Sequence, residues 1–270
     1  ASLGEKLSDM RLNIRANEAQ GGPIAGSLGY SPAKPFAIAA VVNGEIVDAT
    51  VTTGDYRPLV VKGHYGKNGA RVSGFADFSG SDLLKPFVDR IGRTARFGFA
   101  AVPDAKRDGY QGIGWSLISE NLSSTAQGMI RLSDQSAPDG VKLELTSPSL
   151  TRLAGFTLAG PTAYTGVFTG DAKTWALKGE ATLLNTDLAS YKATRIAGPL
   201  NIQSSKGRID IDADVRANGG RSEGIVGALL GAAPHVKFEG ARMADGAMLI
   251  KSIDAQGQAL SLTGSGSRNL

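Results

Sequence analysis

The segment from Ile209 to Ala217 alternates apolar and charged residues without interruption: Ile-Asp-Ile-Asp-Ala-Asp-Val-Arg-Ala. A period of two is that of a β-strand, whose successive side chains point to opposite faces of a sheet. One face of this strand is therefore apolar and the other is charged. Such a strand covers an apolar space on one side and meets water on the other.

The same alternation recurs along most of the chain, broken by glycine-rich turns such as Asn43-Gly44 and Gly66-Lys67-Asn68-Gly69, which favour hairpins. The pattern predicts further strands over Met10–Ala16, Phe36–Val42, Ile46–Thr53, Leu59–Tyr65, Ala70–Phe78, Ala95–Val102, Ile113–Ser119, Ala126–Leu132, Val141–Thr146, Val167–Thr169, Trp175–Leu183, Tyr191–Ile196, Val236–Phe238, Ala247–Ile253 and Leu260–Thr263. We therefore predict an all-β fold, a long and mostly antiparallel rolled sheet.

One or two short helices interrupt the strands. Residues 81–92 carry apolar residues at helical spacing and end at Gly92, with Ser81 or Asp82 as the predicted cap. Ile225–Leu230 is the second candidate. An echo near forty residues, Arg152-Leu-Ala-Gly and Arg195-Ile-Ala-Gly, indicates a repeated strand-pair unit. No linker is evident, so residues 1–270 are predicted to form one elongated segment of a longer protein.

Composition narrows the class of protein. The chain has 36 glycines, 6% aromatic residues and no cysteine, which suits many short strands and excludes a disulfide framework or a thiolate site. The net charge of +4 comes without a basic run, so nothing indicates a nucleic-acid partner. No stretch approaches the roughly 18 apolar residues of a spanning helix.

Catalytic motifs are weak. Gly220-Arg-Ser-Glu-Gly224 matches the G-x-S-x-G pattern of a nucleophile elbow. The only histidine after Ser222 is His235, too close in sequence to leave room for the acid-bearing strand of a triad. We predict that the protein is not an enzyme, although a carbohydrate-active enzyme with paired carboxylates stays an open alternative.

Metal and nucleotide sites find no support either. Asp210, Asp212 and Asp214 share one strand face at about 6.6 Å intervals and cannot wrap one calcium ion. His64 and His235 have no zinc-site spacing, and no phosphate-binding glycine loop occurs. No cofactor is predicted.

The apolar side of such strands has two possible uses. The strands can pack against each other as a sandwich or barrel filled by side chains, or they can line an open groove. Many inward positions hold Ala or Gly, including Ala49, Gly63, Gly179 and Ala213, which leaves volume for a ligand. An apolar groove suits acyl chains. The candidate groove-lining residues are Leu12, Ile14, Leu143, Leu145, Ile209, Ile211, Val215, Val236, Phe238, Leu260 and Leu262.

Three segments near the end of the chain carry a resemblance to a known family. Residues 222–240 resemble the short-helix-then-strand unit of TamB-type proteins. Residues 245–257 and 260–266 resemble the family's succession of a strand, a glycine and an alternating strand, and the Ala-Gly-Pro units at 159–161 and 197–199 are similar in style. TamB-type proteins belong with the AsmA-like proteins of Gram-negative envelopes, and a relative such as YdbH fits nearly as well. The pattern covers most of the chain but includes no catalytic motif.

The resemblance implies a taco-shaped β-groove in a periplasmic protein that is attached to the inner membrane by a segment not present here. Such proteins move phospholipids towards the outer membrane and contribute to outer-membrane biogenesis. TamB-type proteins are also linked to protein translocation and assembly with a partner of the Omp85 class. The alternative from another functional class is a β-solenoid or β-sandwich adhesin, or an autotransporter-type surface domain, whose filled core would bind no lipid.

Overall fold

The computed structural model describes residues 11–20, 22–154, 160–188 and 191–268. Over these residues it is all-β, with sixteen antiparallel strands in one sheet whose order follows the sequence order from β1 to β16. The predicted fold class is therefore confirmed, although four short α-helices replace the expected one or two.

The chain divides into two compact units, Ala1–Thr125 and Ala126–Leu270. The division falls within strand β8 (Ser123–Arg131), so no linker separates the units. Unit 1 contains β1 Arg11–Glu18, β2 Phe36–Asn43, β3 Ile46–Thr53, β4 Tyr56–Gly66, β5 Gly69–Asp77, β6 Thr94–Pro103 and β7 Tyr110–Ser119. Unit 2 contains β9 Ala137–Ser147, β10 Thr162–Gly170, β11 Thr174–Leu188, β12 Tyr191–Ser205, β13 Arg208–Asn218, β14 His235–Arg242, β15 Met248–Gln256 and β16 Ser261–Arg268.

The predicted strands are present, most of them longer than expected. Alternation identifies a strand only where its two faces differ in polarity. The strand ends beside the turns lack this difference, so the pattern does not predict them. Five predicted end residues do not fall in strands of the structure. Met10 lies outside the described residues, and Phe78, Leu132, Ala247 and Leu260 each lie one residue outside β5, β8, β15 and β16.

The helices recur at a fixed topological interval. They are α1 Pro23–Ser27, α2 Lys85–Ile91, α3 Leu150–Ala154 and α4 Gly224–Leu230, and they follow β1, β5, β9 and β13. Four strands therefore separate each helix from the next. The expected forty-residue strand-pair unit is wrong, because Arg152 lies in helix α3 whereas Arg195 lies inside strand β12.

The start of the helix predicted over residues 81–92 also differs from expectation. Asp82–Leu84 form a 3-10 turn ahead of α2, and Ser81 makes no side-chain cap. Its hydroxyl donates instead to the Leu28 carbonyl at 2.6 Å, and the Asp82 amide donates to the Gly29 carbonyl at 2.8 Å. These two hydrogen bonds connect the residues just after α1 to the turn before α2. Gly29 has a φ of 75°, and a Cβ there would meet the Leu83 nitrogen at 2.6 Å.

Candidate functional site

In unit 1, the register places apolar side chains in rows on one face of the sheet. Directly paired residues of antiparallel strands project from the same face. Val72 pairs with Gly63 on one side and with Phe99 on the other, and Phe99 pairs with Trp115. Rows of this kind extend from β1 to β7, and their only charged member is Glu18, which pairs with Phe36. We call this the apolar face of unit 1.

Unit 2 has an equivalent apolar face between β9 and β16. One row runs through Leu177, Ile202, Ile211, Gly240, Ile250 and Gly266. The next row runs through Gly179, Leu200, Ala213, Phe238, Ile253 and Gly264. Neither row contains a polar side chain, so both present hydrocarbon alone.

The register brings ten of the eleven predicted groove residues onto these two faces. Leu12 and Ile14 lie on that of unit 1. The unit 2 residues Leu143, Leu145, Ile209, Ile211, Val215, Val236, Phe238 and Leu262 lie on the other. Leu260 has no strand partner because it precedes β16. Whether these side chains contact a lipid stays a prediction.

Most of this surface is not closed by packing. Leu12, Ile14 and Leu262 expose 45%, 48% and 51% of their surface, and Phe99 and Trp115 each expose 41%. The buried apolar side chains in the described part of the chain are mostly alanines. Within each unit, most large side chains of the apolar face are therefore not fully buried.

The apolar face of unit 1 is buried where α1 covers it. Ala25 and Tyr30 pack on Phe36, and the rings of Tyr30 and Phe36 lie 5.5 Å apart. The Glu18 carboxylate accepts hydrogen bonds from the amides of Ile24 and Ala25 at 2.7 and 2.9 Å. The Glu18 carboxylate, the one charge on this face, thus accepts hydrogen bonds from free backbone amides in the first turn of the helix that covers the face.

Helix α4 covers the apolar face of unit 2 in the same way. Leu230 packs with Ile196 against the buried cluster of Tyr191, Ala193 and Ala217. The Tyr191 hydroxyl donates to the carbonyl of Gly231, just after the helix, at 2.9 Å. Burial raises the pKa of Tyr191, so this phenol stays a neutral donor.

The opposite face is mostly polar and bears its own ion pairs. Asp210 accepts hydrogen bonds from Arg208 and from Lys251 at 2.6 to 2.9 Å, and these bonds lower its pKa. Asp214 contacts His235 and lies 3.6 Å from the Lys237 ammonium, and its pKa is lowered, first by the His235 hydrogen bond. Solvated pairing, rather than calcium binding, explains these aspartates.

A β-bulge in β15 decides the position of Lys251. The register shifts between Ile250 and Ile253 against both neighbouring strands. An extra residue in one strand reverses the facing of the residues beyond it. Ile250 and Ile253 therefore share the apolar face, and Lys251 reaches Asp210 on the polar face.

The weak catalytic motif does not assemble a catalytic pair. Gly220–Gly224 lies between β13 and α4, as its spacing indicates, but the Ser222 hydroxyl donates to the Glu223 carbonyl at 3.4 Å. His235 is engaged by Asp214. Among the described residues, no cluster of three potential metal ligands occurs.

Sequence reasoning missed a row with different chemistry at the turn end of unit 2. We call it the rim row; its members are Trp175, Ser204, Ile209, Arg242, Met248 and Arg268. On strands β13 to β16, Arg242 and Arg268 are the only charged residues among the paired positions of this apolar face. The alternation itself could have predicted them. Arg242 follows Phe238 and Gly240 at intervals of two residues, and Arg268 follows Gly266 at the same interval.

Comparisons with protein-family models, with curated proteins and with solved structures find no match. Within the described ranges, no helix has the length and hydropathy that crossing a bilayer requires.

Proposed function

We propose that this protein is a non-enzymatic hydrophobic conduit that carries phospholipids between the inner and outer membranes. The observation that carries the proposal is the pair of apolar faces, whose large side chains are mostly exposed or only partly buried. Soluble proteins rarely expose contiguous apolar patches of more than a few hundred Å² without a partner for them. Acyl chains are the partner whose chemistry matches rows that contain no polar group.

The energetic need for such a surface is large. Moving an acyl chain of sixteen carbons through water costs roughly 12 kcal/mol, at about 0.8 kcal/mol per methylene. A continuous apolar lining removes most of this barrier without any chemical step. No nucleophile, metal or cofactor is needed, and the unassembled Ser222 motif agrees with that requirement.

The proposal includes the cellular setting that the family resemblance implies. The protein would work in the periplasm, attached to the inner membrane through a region outside this chain, and would contribute to outer-membrane biogenesis. Any Omp85-class partner would be contacted through other regions. The adhesin alternative requires a core filled by large side chains, whereas the buried apolar residues described here are mostly alanines.

Native mass spectrometry of the purified chain tests the proposal directly. We expect mass additions that correspond to phospholipids and that disappear after delipidation. A chain that carries no lipid, and that takes none up when incubated with phospholipid vesicles, would overturn the conduit and favour the adhesin class.

Photo-crosslinking tests which face is used. Crosslinkers at Ile211, Val215 and Phe238 should capture phospholipid, whereas matched crosslinkers at Asp212 and Arg216 on the opposite face of the same sheet should not. Labelling of equal strength on both faces would refute the assignment of the apolar face as the lipid path.

A further inference from the structure

The rim row places two arginines at the end of an apolar face that is otherwise uncharged on β13 to β16. Arg242 pairs in register with Ile209 and Met248, and Met248 pairs with Arg268. Both arginine side chains are exposed, and neither makes an ion pair with a described residue. The nearby Asp245 carboxylate accepts a hydrogen bond from the Ala247 amide at 2.9 Å.

The spacing of the two arginines suits one anionic group. They lie on β14 and β16, with β15 between them, so their backbones are about 10 Å apart at the usual strand spacing. Two extended guanidinium groups can converge on a single phosphate over that gap. Arginine binds phosphate oxygens through paired N–H donors, which makes it the side chain best suited to this role.

The remaining members of the rim row fit a boundary between hydrocarbon and headgroup. Trp175 stacks on Phe168 at 6.0 Å on the apolar side, and tryptophan favours positions where an apolar region meets a polar one. Ser204 supplies a hydroxyl group beside it.

The rows inward of the rim row provide space for an acyl chain. Three successive rows at about 6.8 Å intervals give about 20 Å of apolar surface along the strands. One leaflet of a bilayer has a hydrocarbon depth of about 15 Å, so a typical acyl chain fits this length. Gly266 adds open space here, because a Cβ at that position would meet nothing within 4 Å.

We infer that Arg242 and Arg268 form a binding site for the phosphate of an anionic amphiphile whose acyl chain lies on the rows inward of them. This inference rests on the proposed function and narrows it, since it assigns the headgroup class and its place on unit 2. A free phosphate ester shares the headgroup chemistry but lacks the chain that would fill the apolar rows.

The test compares three probes by titration calorimetry with the delipidated chain. They are lauroyl lysophosphatidylglycerol below its micelle concentration, monolauroylglycerol with the same chain and no phosphate, and glycerol phosphate with no chain. We expect the lysophospholipid to bind at least tenfold more tightly than monolauroylglycerol, and glycerol phosphate to bind much more weakly than either, because exposed ion pairs alone contribute little in water.

Paired substitutions then locate the site. Arg242→Gln with Arg268→Gln should weaken lysophospholipid binding roughly tenfold or more, since two charge-assisted hydrogen-bonding groups are lost. Monolauroylglycerol should bind as before. The matched control, Arg195→Gln with Arg216→Gln, removes two exposed arginines from the polar face of the same unit and should change neither affinity.

The outcomes separate the two proposals. If the unaltered chain binds neither acyl probe, the conduit itself fails. If both acyl probes bind equally, or if the Arg242/Arg268 variant and the control variant behave alike, only the phosphate site fails. Glycerol phosphate binding as tight as that of the lysophospholipid would assign the arginines to a soluble phosphate ester and overturn the inference. Loss of monolauroylglycerol binding in the double variant would also overturn it.

Discussion

The covered and open parts of the apolar faces have similar residues but different surroundings. Under α1, Phe36 is 2% exposed and packs on Ala25 and Tyr30. Away from the helices, Ile14 and Leu262 on the same kind of face expose about half of their surface, at 48% and 51%. The difference lies in what surrounds the strand, not in its alternation: a helix packs over Phe36, whereas Ile14 and Leu262 lie on β1 and β16, the first and last strands of the sheet.

This contrast teaches that stability and ligand binding occupy separate places on one surface. A covered residue is shielded from water by another part of the chain, and its burial contributes to the free energy of folding. An open residue keeps much of its contact with solvent, and its burial is left to a ligand. Substitutions of covered residues should therefore lower stability more than lipid binding, and substitutions of open residues should lower lipid binding more than stability.

The largest stability effect is expected at Phe36. Phe36→Ala should destabilise unit 1 by about 3 to 5 kcal/mol, because it removes a fully buried ring and leaves a cavity. Trp115 is the only tryptophan of unit 1, so urea unfolding followed by fluorescence in a Trp175→Phe background reports on this unit. Ile14→Ala, as the control, should cost about 1 kcal/mol or less. Similar losses at both positions would remove the distinction between covered and open residues.

The opposite profile is expected at Ile211 and Val215. Ile211→Asp or Val215→Arg should reduce bound phospholipid at least tenfold, since a charge placed against acyl chains loses its hydration. Unfolding should change little, because both positions are only half-buried. Lipid content by mass spectrometry and urea midpoints measure the two effects, with Asp212→Ala as the control. Unfolding as severe as the lipid loss would indicate a packed core here.

The smallest effect concerns the polar face, which should contribute to stability without affecting lipid. The pKa of Asp210 is lowered in the folded state, so its contribution is present above the unfolded value of about 3.9 and is lost as pH falls through the folded value. Asp210→Asn should therefore reduce the stability difference between pH 7 and pH 3, by less than about 1 kcal/mol. Urea unfolding at both pH values checks this, with Asp212→Asn as the control; an identical change in both variants would contradict it.

Much of the fold could be predicted from local sequence alone. Alternation identified the strands, and Asn43-Gly44 marked the tight hairpin between β2 and β3 because such dipeptides adopt positive φ readily. The apolar run from Ile225 to Leu230 identified α4. Alternation also selected ten groove candidates that share the two apolar faces, since facing in a strand depends on a period of two.

What escaped prediction depends on contacts between distant segments. Helix α1 begins at Pro23, where Gly22-Pro23 indicates a turn in the sequence, and it is held by Glu18 and by packing on Phe36. The bulge in β15 has no local signal, yet it decides which side Lys251 occupies. Helices of five residues depend on tertiary packing more than on helix propensity, so the local sequence does not predict them.

The return of a helix after every fourth strand sets rules for altering the length of this molecule. Adding or removing one whole block would leave every later strand pointing as before and every later helix at its original end. Taking out two strands would preserve chain direction but halve the separation of consecutive helices to about 10 Å, so that they would contact one another, and taking out one would reverse the direction of every later strand. Any lengthening or shortening of this scaffold, by evolution or by engineering, should therefore proceed in steps of four.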